Sequence, residues 1–296
     1  MTLTTRPRWA NRPIAAGIGG SAGWRALTWA AGEAEQTGTR LVLLHVHGPY
    51  APASPQGGRP GPAELELIDP PLARAVARVQ ERLGRRHVAV LAPAGDPSDR
   101  LVDASAGVRL LVIGDGEASR TVRRVLRHAY CPVVVVGAEA PASPGGPVAG
   151  HVVIGVDGTP ASRAALDFGF AFAAEHGLPV AAVHVSAASH DDYFYDDVTL
   201  STHFTTEPAA LELLAAETEG LALKHPQVPV RRAVLHGSVV GALTRAGYGA
   251  ALLVVGDKRR GVLGRVRTGD VPLAVATEAS CPVAVVPVEQ HEGDPL

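Results

Sequence analysis

The chain repeats itself. Four short, mostly apolar blocks occur in the first half and return in the same order in the second half. The pairs read IAAGIGGS and VVIGVDGT, LVLLHV and VAAVHV, LLVIG and LLVVG, and YCPVVVV and SCPVAVV. A repeat of this kind means that one structural unit occurs twice, so the 296 residues predict two similar domains rather than one large one.

A segment rich in Pro, Gly, Ala and Ser separates the two sets of blocks. It reads GAEAPASPGGPVAG over residues 137–150. This composition is typical of a flexible linker. We therefore expect a first domain over residues 12–138, a linker over 139–150 and a second domain over 151–288.

Within each half, short apolar runs alternate with longer segments that have helix-end signals. Thr159 suits a helix N-cap, Pro160 suits the first helical position, and Gly177 is typical of a helix end. Continuous apolar strands joined by helices predict an α/β fold, namely two tandem open parallel five-stranded sheets with helices on both faces. The strands predicted in the second half cover residues 152–156, 180–185, 228–235, 250–255 and 283–286.

The composition narrows the function classes. A formal net charge of −2 argues against a general nucleic-acid or anionic-membrane surface. No run approaches the ~18 apolar residues of a membrane span, and Met1–Arg12 is not followed by the apolar run of a secretory signal. Cys131 and Cys281 are too few for a disulfide framework and are expected to be small buried hydrophobic residues. These features fit a cytoplasmic protein.

The blocks resemble those of the universal stress protein family. The matching features are a first strand that ends in VDGT, the HV that ends the second strand, and the CPV before the fifth strand. The resemblance covers residues 12–288 and implies a Rossmann-like fold. It also implies a non-enzymatic stress-response regulator that binds an adenine nucleotide such as ATP. An alternative is that the carboxylate of Asp270 holds a Mg²⁺ that bridges to the nucleotide.

In the nucleotide-binding members of the family, the loop after the fourth strand reads Gly-x-x-Gly, a nine-residue spacer, and Gly-Ser or Gly-Thr. Glycines let backbone N–H groups approach phosphate oxygens, and the positive end of the next helix faces the same anion. In the second half, Gly256 and Gly269 match the first and third glycines. Arg259 replaces the second glycine, and Asp270 replaces the Ser or Thr. Asp270 would be a good N-cap, but its charge would also repel a phosphate.

The resemblance implies ligand contacts at two further positions of the second half. Asp157 matches an aspartate at the end of the first strand that contacts the adenosine part of ATP in the family. Val185 stands where a backbone group contacts adenine. The neighbouring His184, like His45 of the first half, is interpreted as a packing residue.

The loop after the fourth strand is the most basic stretch of the chain. Its side chains could hold an anion in place of backbone amides, or could form a solvated charge run, and both interpretations stay open. The residues concerned are Lys258, Arg259, Arg260, Arg265 and Arg267.

The first half departs further from the nucleotide-binding pattern. Gly19 stands at the position of the first-strand aspartate. Cys131 follows Gly114 by 17 positions, whereas Cys281 follows Gly256 by 25, so 8 residues are missing from the phosphate loop itself. We therefore expect nucleotide binding in the second half only.

Other functions stay open. The chain could be a nucleotide-free scaffold that acts through protein partners, or a slow ATPase or autophosphorylating protein. No nucleophile elbow or Walker loop is present in the sequence, so we expect no enzyme and no catalytic residue. We interpret residues 186–207, which include His190, His203 and several aspartates, as an exposed polar loop rather than a metal site.

The fifth strands suggest how the halves assemble. Residues 133–136 and 283–286 are both apolar, and the unpaired backbone groups of an edge strand favour pairing with another edge. We expect the two strands to pair within one chain, and a homodimer is the alternative assembly.

Overall fold

The structure is a computed structural model of the chain. It describes residues 12–20, 22–47, 60–116, 119–138, 146–186, 193–196, 207–258 and 270–288. Proximity of Cα atoms divides the chain into two compact units, Met1–Val136 and Gly137–Leu296.

The first unit is built on five parallel strands in the order β3-β2-β1-β4-β5. The strands are β1 (Ile14–Gly17), β2 (Leu41–Leu44), β3 (Val88–Leu91), β4 (Leu110–Gly114) and β5 (Val133–Val136). The helices between them are α1 (Gly23–Thr37), α2 (Pro62–Ile68), α3 (Pro70–Leu83), α4 (Pro97–Ser105) and α5 (Ser119–His128), and a 3₁₀ turn covers Arg85–His87.

The second unit repeats this plan with one additional strand. Its sheet has the order β11-β10-β6-β7-β9-β8. The strands are β6 (Val152–Gly155), β7 (Val180–Ser186), β8 (Tyr193–Asp196), β9 (Val230–His236), β10 (Leu252–Asp257) and β11 (Val283–Pro287). The helices are α6 (Pro160–His176), α7 (Pro208–Lys224), α8 (Val239–Ala246) and α9 (Val271–Glu278). The predicted tandem α/β fold is confirmed.

Local capping chemistry fixes the bounds of α6. Thr159 adopts the extended N-cap conformation, and its hydroxyl accepts a hydrogen bond from the Ser162 amide at 3.4 Å. Pro160 occupies the first helical position, where its missing N–H removes no helical bond. Gly177 ends the helix with a left-handed φ of 65°. The predicted helix is confirmed at both ends.

The core of each unit is an apolar sheet covered on both faces. Ile14, Ala15 and Ala16 of β1 are fully buried, as are Val152, Val153 and Ile154 of β6. Full burial of one such Val or Ile side chain stabilises the fold by roughly 1.5–3 kcal/mol. Within the described residues, no helix is long and apolar enough to cross a membrane.

The two cysteines belong to these cores. Cys131 and Cys281 are both buried, as expected, and neither forms a disulfide. Burial raises the pKa of the Cys281 thiol to about 12. This thiol is therefore not the thiolate that nucleophilic chemistry requires.

The additional strand corrects the prediction of a simple loop over residues 186–207. Residues 193–196 form β8, which pairs antiparallel with β9. The backbone register pairs Tyr193 with Val234 and Asp196 with Arg231. The sequence YFYD has the aromatic content that suits a strand. The second sheet therefore has six strands instead of the five expected. His190 and His203 lie outside the described residues.

Candidate functional site

A cavity of about 410 Å³ lies at the carboxyl edge of the second sheet. It is bounded by the carboxyl ends of β6, β7 and β10 and by the first turns of α6, α8 and α9. Its apolar lining includes Val156, Val183, Val239, Leu243 and Val255. Ligands of open α/β sheets bind at this edge, so the cavity is the candidate site of the second unit.

Four of the predicted site residues meet at this cavity. Asp157, Val185, Gly256 and Asp270 all line it, although they come from four separate segments of the chain. The carboxyl ends of parallel strands lie at the same edge, which explains this convergence. The predicted residues Arg259 and Gly269 lie outside the described residues, as do Arg260, Arg265 and Arg267.

Asp157 is held by hydrogen bonds to both of its carboxylate oxygens. Its Oδ1 accepts from the Thr159 amide at 3.1 Å and from the Thr159 hydroxyl at 2.6 Å. Its Oδ2 accepts from the Lys258 ammonium at 2.5 Å. Burial alone would raise the pKa of Asp157, but the bonds from Lys258 and Thr159 outweigh it and hold the pKa below its usual value. The carboxylate is therefore stabilised as an anion at the cavity.

Lys258, which the sequence presented only as one of five basic residues in a loop, forms a specific ion pair at the cavity. It directly follows β10 and lines the cavity opposite Asp157. Its side chain is 33% exposed, and that of Asp157 is 46% exposed. An ion pair with this much solvent contact is weak and can exchange its partners.

Gly256 is required by helix packing. A Cβ at this position would lie 2.1 Å from the carbonyl oxygen of Ala161 in the first turn of α6. In the first unit, a Cβ on Gly114 would lie 2.1 Å from the carbonyl oxygen of Ala22. Since the first unit keeps this contact without the full phosphate loop, Gly256 has a structural role that is independent of any ligand.

Asp270 occupies the N-cap position of α9, but the expected capping hydrogen bond is absent among the described residues. Its φ and ψ are −97° and 72°, whereas the capping Thr159 has −86° and 161°. Pro272 also removes the second amide of the helix. The prediction of the N-cap position was right and that of the capping bond was wrong, because this backbone conformation departs from the extended one that N-cap residues typically adopt.

His184, interpreted from the sequence as a packing residue, also lines the cavity. Its Nδ1 lies 2.9 Å from the carbonyl oxygen of Val156. A carbonyl can only accept, so Nδ1 donates this hydrogen bond. Its position at the end of the second predicted strand, next to Val185, was the signal that could have identified it.

A family model describes both halves of the chain. The model of the universal stress protein family matches residues 10–137 and 149–287. The chain belongs to the universal stress protein family. Universal stress protein Rv2623 of Mycobacterium tuberculosis is 30% identical over 283 residues, which cover 88% of this chain and 91% of that protein.

Solved universal stress proteins share the fold. One from Archaeoglobus fulgidus is 14% identical, covers 95% of this chain and 97% of its own, and superposes with a TM-score of 0.64. Another universal stress protein was solved in complex with cAMP. It is 21% identical, matches 48% of this chain and 99% of its own, and has a TM-score of 0.37.

At the carboxyl edge of its sheet, the first unit has different side chains from the second. Gly19, at the position of Asp157, supplies no carboxylate. The Arg25 guanidinium of α1 instead donates to the carbonyl oxygen of Asp115 after β4 at 2.7 Å. Its counterpart Arg163 donates to Glu217 of α7. Burial raises the pKa of Asp115, against the opposing charge of Arg25. The arginine therefore bridges the strand edge where the second unit has its cavity.

Proposed function

We propose that this universal stress protein is a cytoplasmic, non-enzymatic stress-response regulator that binds an adenine nucleotide, such as ATP, in its second domain only. The observation that carries the proposal is the convergence of Asp157, Val185 and Lys258 on one cavity at the carboxyl edge of the sheet. A carboxylate can accept from ribose hydroxyls, and an ammonium can pair with a phosphate.

The shape and lining of the cavity support a nucleotide-sized ligand. Its volume of about 410 Å³ lies within the ~300–1,000 Å³ that is usual for small-molecule sites. Valine and leucine side chains can cover the faces of a base, and the Val185 backbone at the end of β7 is the proposed adenine contact. Gly269 and Arg259 are proposed to complete the phosphate loop.

Asp270 is expected to weaken the binding of the phosphate chain. A hydroxyl at this position would donate a hydrogen bond, whereas the carboxylate repels a phosphate. A Mg²⁺ ion brought by the nucleotide would relieve this repulsion, because carboxylate oxygens are ligands that Mg²⁺ prefers. Asp270 is the residue that we propose would hold such an ion.

Calorimetric titration of the full chain with ATP and AMP tests the proposal. Asp157→Ala should weaken both ligands, because it removes the ribose acceptor. Asp167→Ala is the matched control, since Asp167 is an exposed residue of α6 that does not line the cavity. Mass spectrometry of small molecules that co-purify with the protein would identify the bound nucleotide.

The second candidate is a scaffold that acts through protein partners and has no nucleotide. The observation that favours it is that Asp270, whose charge would repel a phosphate, lines the cavity. Absence of binding of ATP, ADP and AMP at millimolar concentration, with and without Mg²⁺, would support the scaffold and reject the nucleotide-binding regulator.

We also propose that the functional domains span residues 12–138 and 151–288 and pair through their fifth strands within one chain. In support, β5 and β11 each end the strand order of their own unit, and both are apolar. Light scattering should then give the mass of a single chain, 30.5 kDa. A dimer that dissociates only on unfolding would favour pairing between chains instead.

A further inference from the structure

Both oxygens of the carboxylate that would bind a ribose already accept hydrogen bonds from other residues of the chain. Asp157 Oδ1 accepts two hydrogen bonds from Thr159, and Oδ2 accepts one from Lys258. Thr159 belongs to the turn that begins α6, so its bonds are part of the local fold. A ribose hydroxyl that approaches Oδ2 therefore shares this oxygen with the ammonium of Lys258.

The ion pair between Lys258 and Asp157 can open at low cost in free energy. Lys258 stands on a flexible four-carbon stem, and both members of the pair are partly exposed. Water can solvate the released ammonium, and the charge of the pair is screened. A ligand that offers a second anionic partner can therefore draw Lys258 away from Asp157.

The charged side chains that line the cavity make Lys258 the group that would attract an anionic ligand. Among the described residues that line the cavity, Lys258 is the one Lys or Arg. The carboxylates of Asp157, Asp257 and Asp270 line the same space. Within the described lining, Lys258 is therefore the cationic side chain that an anionic ligand can engage.

We propose that Lys258 makes the site selective for phosphorylated nucleosides, because its ion pair with Asp157 competes with a ribose for the carboxylate until a phosphate draws the ammonium away. This inference rests on the proposed function of the second domain. A nucleoside without phosphate competes with Lys258 for Oδ2 and gives the ammonium no new partner. A nucleotide supplies a partner for each charge, so the ribose and phosphate contributions are coupled rather than additive.

Titration of the full chain with adenosine and AMP tests the coupling. The wild type should bind AMP at least about tenfold more tightly than adenosine, since one charge-assisted hydrogen bond is worth about that much. Lys258→Met should weaken AMP about tenfold and tighten adenosine several-fold. Lys224→Met, at the end of α7, is the control and should leave both affinities unchanged.

The opposite response of the two ligands is the decisive outcome. If Lys258→Met weakens AMP but leaves adenosine unchanged, Lys258 is a plain phosphate contact and the inference is overturned. If both affinities are unchanged, the pair is a surface ion pair without influence on the ligand, and the inference is again overturned. Absence of any nucleotide binding by the wild type would instead overturn the proposed function, and this inference with it.

The chain offers a second readout because Lys224 and Lys258 are its only lysines. Acetylation with an amine-reactive reagent, followed by peptide mass spectrometry, reports both side chains in one sample. Asp157→Asn should raise the acetylation rate of Lys258 several-fold relative to Lys224, and AMP should lower that rate in the wild type. An unchanged rate in Asp157→Asn would show that Asp157 does not hold the ammonium, which overturns the inference.

Discussion

Gly256 and Ala161 approach so closely that a Cβ on Gly256 would lie 2.1 Å from the Ala161 carbonyl oxygen. Gly256→Ala must therefore push the first turn of α6 away from β10. We expect a loss of about 1–3 kcal/mol in the free energy of unfolding, whether or not a nucleotide is present. Thermal or chemical unfolding measured by circular dichroism checks this result.

A matched variant separates this clash from a general effect of glycine replacement. Gly220 lies exposed within α7, and a Cβ there would meet nothing within 4 Å. Gly220→Ala should therefore stabilise the chain by about 0.5–1 kcal/mol through helix propensity. A Gly256→Ala variant with full stability and weakened nucleotide binding would contradict the packing role and favour a ligand role.

The contrast between α6 and β8 shows which parts of the fold the sequence could predict. The ends of α6 depend on Thr159, Pro160 and Gly177, which act on their own backbone neighbourhood and are visible as a local pattern. Strand β8 exists because Tyr193 pairs with Val234, far along the chain. Such pairing depends on tertiary context, and the surrounding acidic residues gave the segment the composition of a loop.

The same division applies to the site. Strand ends converge at one edge by topology, and the family resemblance implied ligand contacts for Asp157, Val185 and Asp270 there, so the sequence could assign these residues to one site. The bond from Lys258 to Asp157 joins positions 101 residues apart and depends on the path of a flexible side chain. Gly256 was open to two explanations, because close approach to a phosphate and close approach to a helix carbonyl both require the absence of a Cβ.

Asp270→Ser should tighten ATP binding. The substitution removes a like charge from the phosphate end of the cavity and adds a hydroxyl donor, so we expect about a tenfold to hundredfold gain. AMP should gain less, because it places less charge near α9. Calorimetry of both ligands in the absence of Mg²⁺ measures the difference.

Glu278→Gln is the control for this substitution, since it removes the same charge at the far end of α9, on an exposed residue. It should leave ATP affinity unchanged. An Asp270→Ser variant with unchanged or lower affinity would show that Asp270 does not face the phosphates. If wild-type ATP binding is also lost on addition of EDTA, Asp270 acts through Mg²⁺.

The full chain should bind one adenine nucleotide. In the first unit, Gly19 supplies no carboxylate, and Arg25 is engaged with the carbonyl oxygen of Asp115. Calorimetry should therefore give a stoichiometry of one ligand per chain. A stoichiometry of two ligands per chain in the wild type would instead indicate a second site in the first unit.

The pair of Asp157 with Lys258 and Thr159 should make stability depend on pH. The folded-state pKa of Asp157 lies below its usual value, so its stabilising contribution is present above the unfolded pKa of about 3.9 and is lost as pH falls through the lower, folded pKa. Because the carboxylate is 46% exposed, solvent screening limits the contribution to at most about 1 kcal/mol.

Urea unfolding of the wild type and Asp157→Asn should show the wild type more stable near pH 7, with a difference that shrinks below about pH 4. Asp167→Asn corrects for the removal of an exposed carboxylate that does not line the cavity. A difference between wild type and Asp157→Asn that stays constant from pH 7 to the acid limit would show that the stabilisation does not come from the ionised carboxylate.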